Sequence, residues 1–347
     1  MKNVNVSTAR SAEGLIFALA CAAMIVASAG GHWDGYIHAK QGHTLLAIPH
    51  LIILGGLALF GVTGALALFV LARSPSPLGP AQRRSMWLVA VGGLGVPAAA
   101  LFDQAWHVII GEDKTVWSVP HLLLLFFAGV VFLGCTLAAA SRRSRVGLAW
   151  VTFSDWLVVL LAGVMFLPLF VAFAEYDQPI LGWLADVRPG YAYPLAVSVA
   201  ATFLLVVAAS IMRKAGSITV SALGAYALYA GAGYVVSMSL DYYTIFPPFP
   251  LVVPALALDV WLYISRNTQN SYAFPLWAYL VSSALTATIC YWTVVAWAVL
   301  YTHDKLPQQL SGSGEDWARW YGFALMMSVC VAVLARAVVL SLRSNET

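Results

Sequence analysis

The chain has 347 residues, of which 61% are hydrophobic and only 10% charged, with a mean hydropathy of +0.83 and a formal net charge of +3. A soluble globular domain carries about 25% charged residues, so a water-soluble globule is excluded, and no nucleic-acid partner is expected. The class that remains is all-α: a polytopic transmembrane helical bundle in contact with the lipid bilayer.

Apolar runs long enough to cross a hydrocarbon core, about 20 residues each, lie at 14–33, 48–72, 86–108, 119–140, 150–174, 190–212, 217–240, 247–265, 272–302 and 318–342. Ten spans put both termini on one side. Lys40, Lys114, Arg188, Lys305 and Arg319 fall on the other, which leaves 13 of the 18 Lys and Arg on the side of the termini. The positive-inside rule makes that side cytoplasmic. The prediction is a multi-pass protein of a bacterial-type inner membrane, with the loops after the odd helices facing the periplasm. The first run follows Lys2 and Arg10 and ends in VASAGG, which imitates a secretory signal. An uncleaved first helix is expected, because cleavage there would remove the membrane support of the residues that follow.

Those residues begin a pattern that occurs twice. Asp34, His38, Pro49 and His50 lie in HWDGYIHAKQGHTLLAIPHL, and Asp103, His107, Pro120 and His121 in FDQAWHVIIGEDKTVWSVPHL. In each copy an apolar helix ends in Asp-x3-His, a polar loop follows, and the next helix opens with Pro-His. The i, i+4 spacing puts carboxylate and imidazole on one helical face, and proline in the first turn lets the next helix start with its own imidazole facing back. Each copy thus offers two His and one carboxylate at a single membrane face. The six residues Asp34, His38, His50, Asp103, His107 and His121 read as metal ligands.

The basic turn SRRSRVG after the fourth span separates a metal-binding half, 1–140, from a second half, 141–347. The second half keeps the outline and loses the histidines. Asp177 follows the fifth span and Pro194 opens the sixth; Asp241 ends the seventh, and Pro247, Pro248 and Pro250 open the eighth. Acid at the end of each odd helix and proline at the start of each even one suit an ancestral hairpin duplicated twice.

Two His and a carboxylate with open positions suit non-haem iron, while imidazole-rich sites equally suit copper or zinc. Copper tops the affinity series for such ligands and is placed first. A lone interfacial histidine is ordinarily structural, but a repeated Asp-x3-His completed by Pro-His is hard to obtain without a function. His43 and Asp113 are candidates to orient a ligand imidazole from outside. Trp106 and Trp117, with Trp33, wall a substrate cavity or belong to the interfacial aromatic belt. His32 has no counterpart in the second copy. His303 and Asp304 cap the site from outside or form a solvated loop pair. Asp259, inside LALDVWLYISR, relays protons, pairs with Arg266 or hydrogen-bonds a neighbouring helix. Cys21, Cys135, Cys290 and Cys330 show no CxxC spacing and indicate no disulfide framework.

The arrangement Asp34, His38, His50 and again Asp103, His107, His121 resembles the Asp-x3-His-x12-His motif of the copper-site protein in the copper membrane monooxygenases, the particulate methane and ammonia oxidisers. The resemblance covers two short stretches, and the chain departs from that protein in its second copy of the motif and in having more helices. It implies a copper-dependent, monooxygenase-like oxidoreductase acting on a small apolar substrate with O2 at the outer membrane face, with an electron donor or partner subunits. Other classes compete: a transporter or metal-handling permease using the ligands for transient capture, a haem protein with axial histidines, and a zinc hydrolase.

Overall fold

The computed structural model describes residues 6–40, 47–73, 78–111, 118–141, 153–168, 192–212, 216–239, 251–266, 275–301 and 314–343. They form ten helices and no strand: α1 (Val6–Lys40), α2 (Ile48–Arg73), α3 (Pro80–Ile109), α4 (Val119–Ser141), α5 (Phe153–Met165), α6 (Ala192–Met212), α7 (Ser217–Ser239), α8 (Val252–Arg266), α9 (Leu276–Tyr301) and α10 (Gly314–Arg343). Seven of these, α1 to α4, α7, α9 and α10, are long and apolar enough to cross a membrane. Two more, α6 and α8, carry shorter apolar stretches, Val197–Met212 and Val252–Ser265. The fold is therefore the all-helical bundle expected from composition. In lipid every backbone N–H and C=O must be satisfied within the protein, and helices achieve this within one segment.

The expected spans and the observed helices coincide except at the fifth. There α5 ends at Met165, where Phe166 N–H turns back to the Gly163 carbonyl at 3.0 Å. Pro168 supplies the cause: its ring leaves no room for the carbonyl of residue 164, and it has no N–H to continue the ladder. The first helix, in contrast, runs unbroken through the small-residue stretch that imitates a cleavage site.

The chain divides into two compact units. One contains α1 to α5 and residues 227–239 of α7; the other contains α6, residues 217–226 of α7, and α8 to α10. In the first, α1 packs on α2, α2 on α3 and α3 on α4, with α5 against α4. In the second, α9 and α10 pack on each other and on α6, and α8 packs on α9.

Close packing in the first unit depends on glycine. A Cβ on Gly64 of α2 would lie 2.7 Å from the Leu94 nitrogen of α3, and one on Gly93 only 2.6 Å from the Gly64 nitrogen. The two backbones touch there, as small residues allow in membrane helix pairs, where lipid supplies no hydrophobic drive and contact must come from packing. Phe60 and Phe132 meet edge to face, 6.1 Å apart, and both are fully buried. Buried hydroxyls are satisfied within their own helices: Thr63 donates to the Leu59 carbonyl at 2.8 Å and Thr136 to the Phe132 carbonyl at 2.7 Å. Large apolar side chains such as Leu101, Phe126 and Met326 face outward, as a hydrocarbon solvent requires.

Gly64→Leu is expected to destabilise the detergent-solubilised protein by about 1–3 kcal/mol or to prevent folding, because the clash is with backbone. Gly55→Leu on the same helix, where a Cβ meets nothing within 4 Å, should leave the thermal unfolding midpoint nearly unchanged.

Candidate functional site

The two motif copies are built in the same way. In each, the even helix opens on Pro, and its first turn closes onto the residue before the helix: Leu51 N–H to the Ala47 carbonyl at 3.2 Å, and Leu122 N–H to the Ser118 carbonyl at 3.0 Å. Pro49 and Pro120 are buried, one residue before their histidines. Prolines at these places lose no intrahelical hydrogen bond, since the first-turn N–H groups have no partner in the helix.

In the first copy, α1 approaches α2 through Gly30. A Cβ there would sit 3.1 Å from the Pro49 carbonyl oxygen and 2.8 Å from the Ile53 nitrogen. One turn further along α1, Asp34 Oδ1 lies 2.9 Å from His50 Nε2. The two groups stand within ion-pair distance of each other. His38 lies on the last part of α1, and its side chain is outside the described residues, as are His43 and the second copy's Asp113 and Trp117.

In the second copy, Asp103 Oδ1 stands 3.6 Å from His107 Nε2 and 3.5 Å from His121 Nε2. The carboxylate oxygen is thus nearly equidistant from the two imidazoles, one from its own helix and one from the next. Both separations exceed hydrogen-bonding distance, and this oxygen is buried with no hydrogen-bond partner among the described residues. The odd helix stops just beyond the ligands: Ile110 N–H bonds the Trp106 carbonyl at 2.7 Å, Gly111 N–H bonds the His107 carbonyl at 3.2 Å, and Gly111 adopts φ of 111°. Only glycine takes that backbone conformation readily.

The donor types fit a metal. Among the described residues no group of three or more His, Cys, Asp or Glu side chains stands closed around a point that would hold an ion. The Asp103 set nevertheless comes near the required spacing. Two ligand atoms about 2.0–2.1 Å from one tetrahedral metal, such as zinc, stand about 3.3 Å apart, so Asp103 Oδ1 would have to close by about 0.2 Å on the His121 nitrogen and about 0.3 Å on that of His107. The structure brings together Asp34 with His50, and Asp103 with both His107 and His121.

Several other expectations resolve. Asp259 of α8 hydrogen-bonds a neighbouring helix: its Oδ2 accepts from the Thr219 backbone N–H at 2.8 Å and from Thr219 Oγ1 at 2.6 Å, while the side chain of Arg266 lies outside the described residues. The backbone N–H groups of Gly216 and Ile218 also reach this carboxyl. Asp259 therefore caps the N-terminus of α7 from a neighbouring helix, satisfying N–H groups that the helix leaves without partners. His32 rests on Tyr229 of α7, ring centroids 4.7 Å apart, near Gly233 one turn on. Trp106 meets Phe102 of its own helix edge to face, ring centroids 5.9 Å apart. The four cysteines are free. The loop residues Asp177, Asp241, His303, Asp304 and the prolines before α8 lie outside the described residues.

One acid escaped the sequence reading. Glu13 of α1 is 1% exposed. It sits near the basic start of the chain, where an acid reads as an interfacial charge, and nothing in its neighbourhood signals burial.

No known family, curated protein or solved structure matches the chain. The function of the site has to be read from its own chemistry.

Asp259→Ala should lower stability by about 1–2 kcal/mol, the scale of a lost helix cap, measured by unfolding in detergent. Asp259→Asn, which keeps an acceptor for Thr219, should cost less.

Proposed function

We propose that the chain is an integral membrane metalloprotein that holds copper through Asp103, His107 and His121, with Asp34, His38 and His50 as a second set. On this reading it is an oxidoreductase acting on a small apolar substrate with O2 at the outer membrane face. The observation that carries the metal part is the buried Asp103 Oδ1 standing between two imidazole nitrogens at 3.5 and 3.6 Å. A carboxylate at membrane depth is costly and is retained where it does something. Here it supplies the negative charge that a cation requires, and the two imidazoles supply neutral nitrogen donors.

Iron and zinc accept the same donors. Copper is preferred because it leads the affinity series for such ligands and because the motif resembles a copper site. When bound, it supplies one-electron redox chemistry; the electrons come from a donor or a partner protein. The residues around the site do the rest. Leu101, Phe102 and Val108 of α3 are exposed, so an apolar surface runs from the hydrocarbon to the carboxylate. A substrate and O2 dissolved in lipid reach the site along it without crossing water. A permease reading is disfavoured by α2 and α4, which are continuous helices, whereas transport sites at mid-membrane are typically formed by broken ones.

The test is metal analysis and an absorption spectrum on full-length protein purified without added metal. Retained copper that falls about tenfold or more in His121→Ala is the expected result. A Soret band would replace this reading with a haem protein, and metal flux into liposomes by protein that retains none would replace it with a transporter.

A further inference from the structure

Arg336 of α10 lies inside the apolar stretch Ala318–Leu340, seven residues before the helix ends at Arg343. At 1.5 Å per residue that is about 10 Å of helix. A guanidinium keeps its charge at any ordinary pH, and a charge inside a span needs a partner. The Cα–Cβ bond of a helical residue tilts towards the N-terminus, here away from the nearer helix end, which works against escape of the charge to water. The side chain sits at an edge. Ala332, Ala335 and Val339 are buried, whereas Val333 and Leu340 are 50% and 41% exposed. Arg336 stands between these two faces, half-buried, with Nε buried and without a hydrogen-bond partner among the described residues.

The surrounding helix ends are short of acid. Trp261, near the end of α8, donates to Ser282, near the start of α9, at 3.1 Å, and Tyr291 in the second half of α9 meets Tyr321, near the start of α10, at 5.6 Å. These are contacts of antiparallel neighbours, so α8 and α10 end on one side. The cap that Asp259 places on α7 brings the turn between α6 and α7 to the same side. Along the segments that form this end, 205–226, 252–285 and 328–347, the sequence carries Arg213, Lys214, Arg266, Arg336 and Arg343 against Asp259 and Glu346, a surplus of three positive charges. Asp259 is not paired with Arg336: its Oδ2 takes the bonds of Thr219, and its Oδ1, like Arg336 Nε, has no partner among the described residues. Glu346 lies ten residues on, beyond the end of α10.

We propose that Arg336 anchors a binding site for the phosphate of an anionic phospholipid at the lipid-facing edge of α10. A guanidinium is a planar fork of N–H donors that takes two phosphate oxygens at once. A zwitterionic headgroup brings its own cation beside the phosphate; a lipid of net negative charge does not, and the surplus of positive charge at this end selects it. Basic seats between membrane helices hold such headgroups in the same way. The ligand comes from the bilayer because the edge that Arg336 occupies is continuous with the exposed Val333 and Leu340. The proposal does not rest on the metal reading.

The experiment uses full-length protein in detergent, washed free of lipid and titrated with phosphatidylglycerol or phosphatidylcholine in mixed micelles, followed by native mass spectrometry and thermal unfolding. Phosphatidylglycerol is expected to bind in a tight equivalent and to raise the unfolding midpoint, and phosphatidylcholine to do neither. Arg336→Gln should weaken the tight equivalent about tenfold or more, the scale of a lost charge-assisted contact; Arg343→Gln should weaken it less. Arg336→Lys keeps the charge and loses the fork, so it too should weaken binding, and unchanged affinity there overturns the proposal even where Arg336→Gln does not fold. Equal binding of the two lipids, or a tight equivalent indifferent to Arg336→Gln, overturns it as well. Inorganic phosphate should not displace the lipid; displacement assigns the seat to a soluble anion and overturns the phospholipid.

Discussion

Contact between helix backbones is the constraint on which the first unit depends. At Gly64 and Gly93 the backbones of α2 and α3 leave no room for a methyl group, and Gly30 does the same between α1 and α2. In water such a junction would be one packing detail among many. In lipid, where apolar side chains gain nothing by leaving the solvent, close approach and the dispersion contacts it permits are what hold helices together. The polar residues at the helix ends take their positions from these junctions. Asp34 lies one turn from Gly30, and so meets the first turn of α2 at the distance the glycine allows.

Buried acids in this chain are stabilised by different means. Asp259 takes the backbone donors at the start of α7, so its charge is met by N–H dipoles and by Thr219. Asp34 meets the imidazole of His50. Asp103 has two imidazoles within 3.6 Å yet no hydrogen bond at Oδ1. A buried carboxylate oxygen left in that state costs free energy; Asp259 carries the same cost at Oδ1 but offsets it through the two bonds that Thr219 gives to Oδ2. Asp259 thus has a place as a helix cap, whereas Asp103 is met by the two imidazoles alone at 3.5 and 3.6 Å.

Much of the architecture was legible in the sequence because lipid leaves few choices. Long apolar runs must be helices, and the runs beginning at Ile48, Val119 and Ser217 start within a residue or two of where the helices do. The Pro-His openings and the Asp-x3-His spacing told which side chains share a helix face, and the pairs Asp34–His50 and Asp103–His121 follow from it. What was hidden is what depends on partners distant in sequence. The seat of His32 on Tyr229 and the capping of α7 by Asp259, 40 residues from Thr219, leave no local trace. The break at Phe166 was signalled by Pro168, but a run as apolar as 150–174 masks such a signal. Glu13 was overlooked for the opposite reason: an acid beside basic residues at a helix start has an ordinary explanation, and only burial contradicts it.

The separation of the two motif copies was also beyond the ligand pattern. Asp, His and Pro-His recur with the same helical phase, so a motif comparison makes the copies equal. In the structure they differ in spacing: the carboxylate oxygen stands 2.9 Å from the imidazole of the next helix in the first copy and 3.5 Å in the second. How closely two helices approach depends on partners distant in sequence, and at Gly30, Gly64 and Gly93 it is the small residue at the contact that permits it.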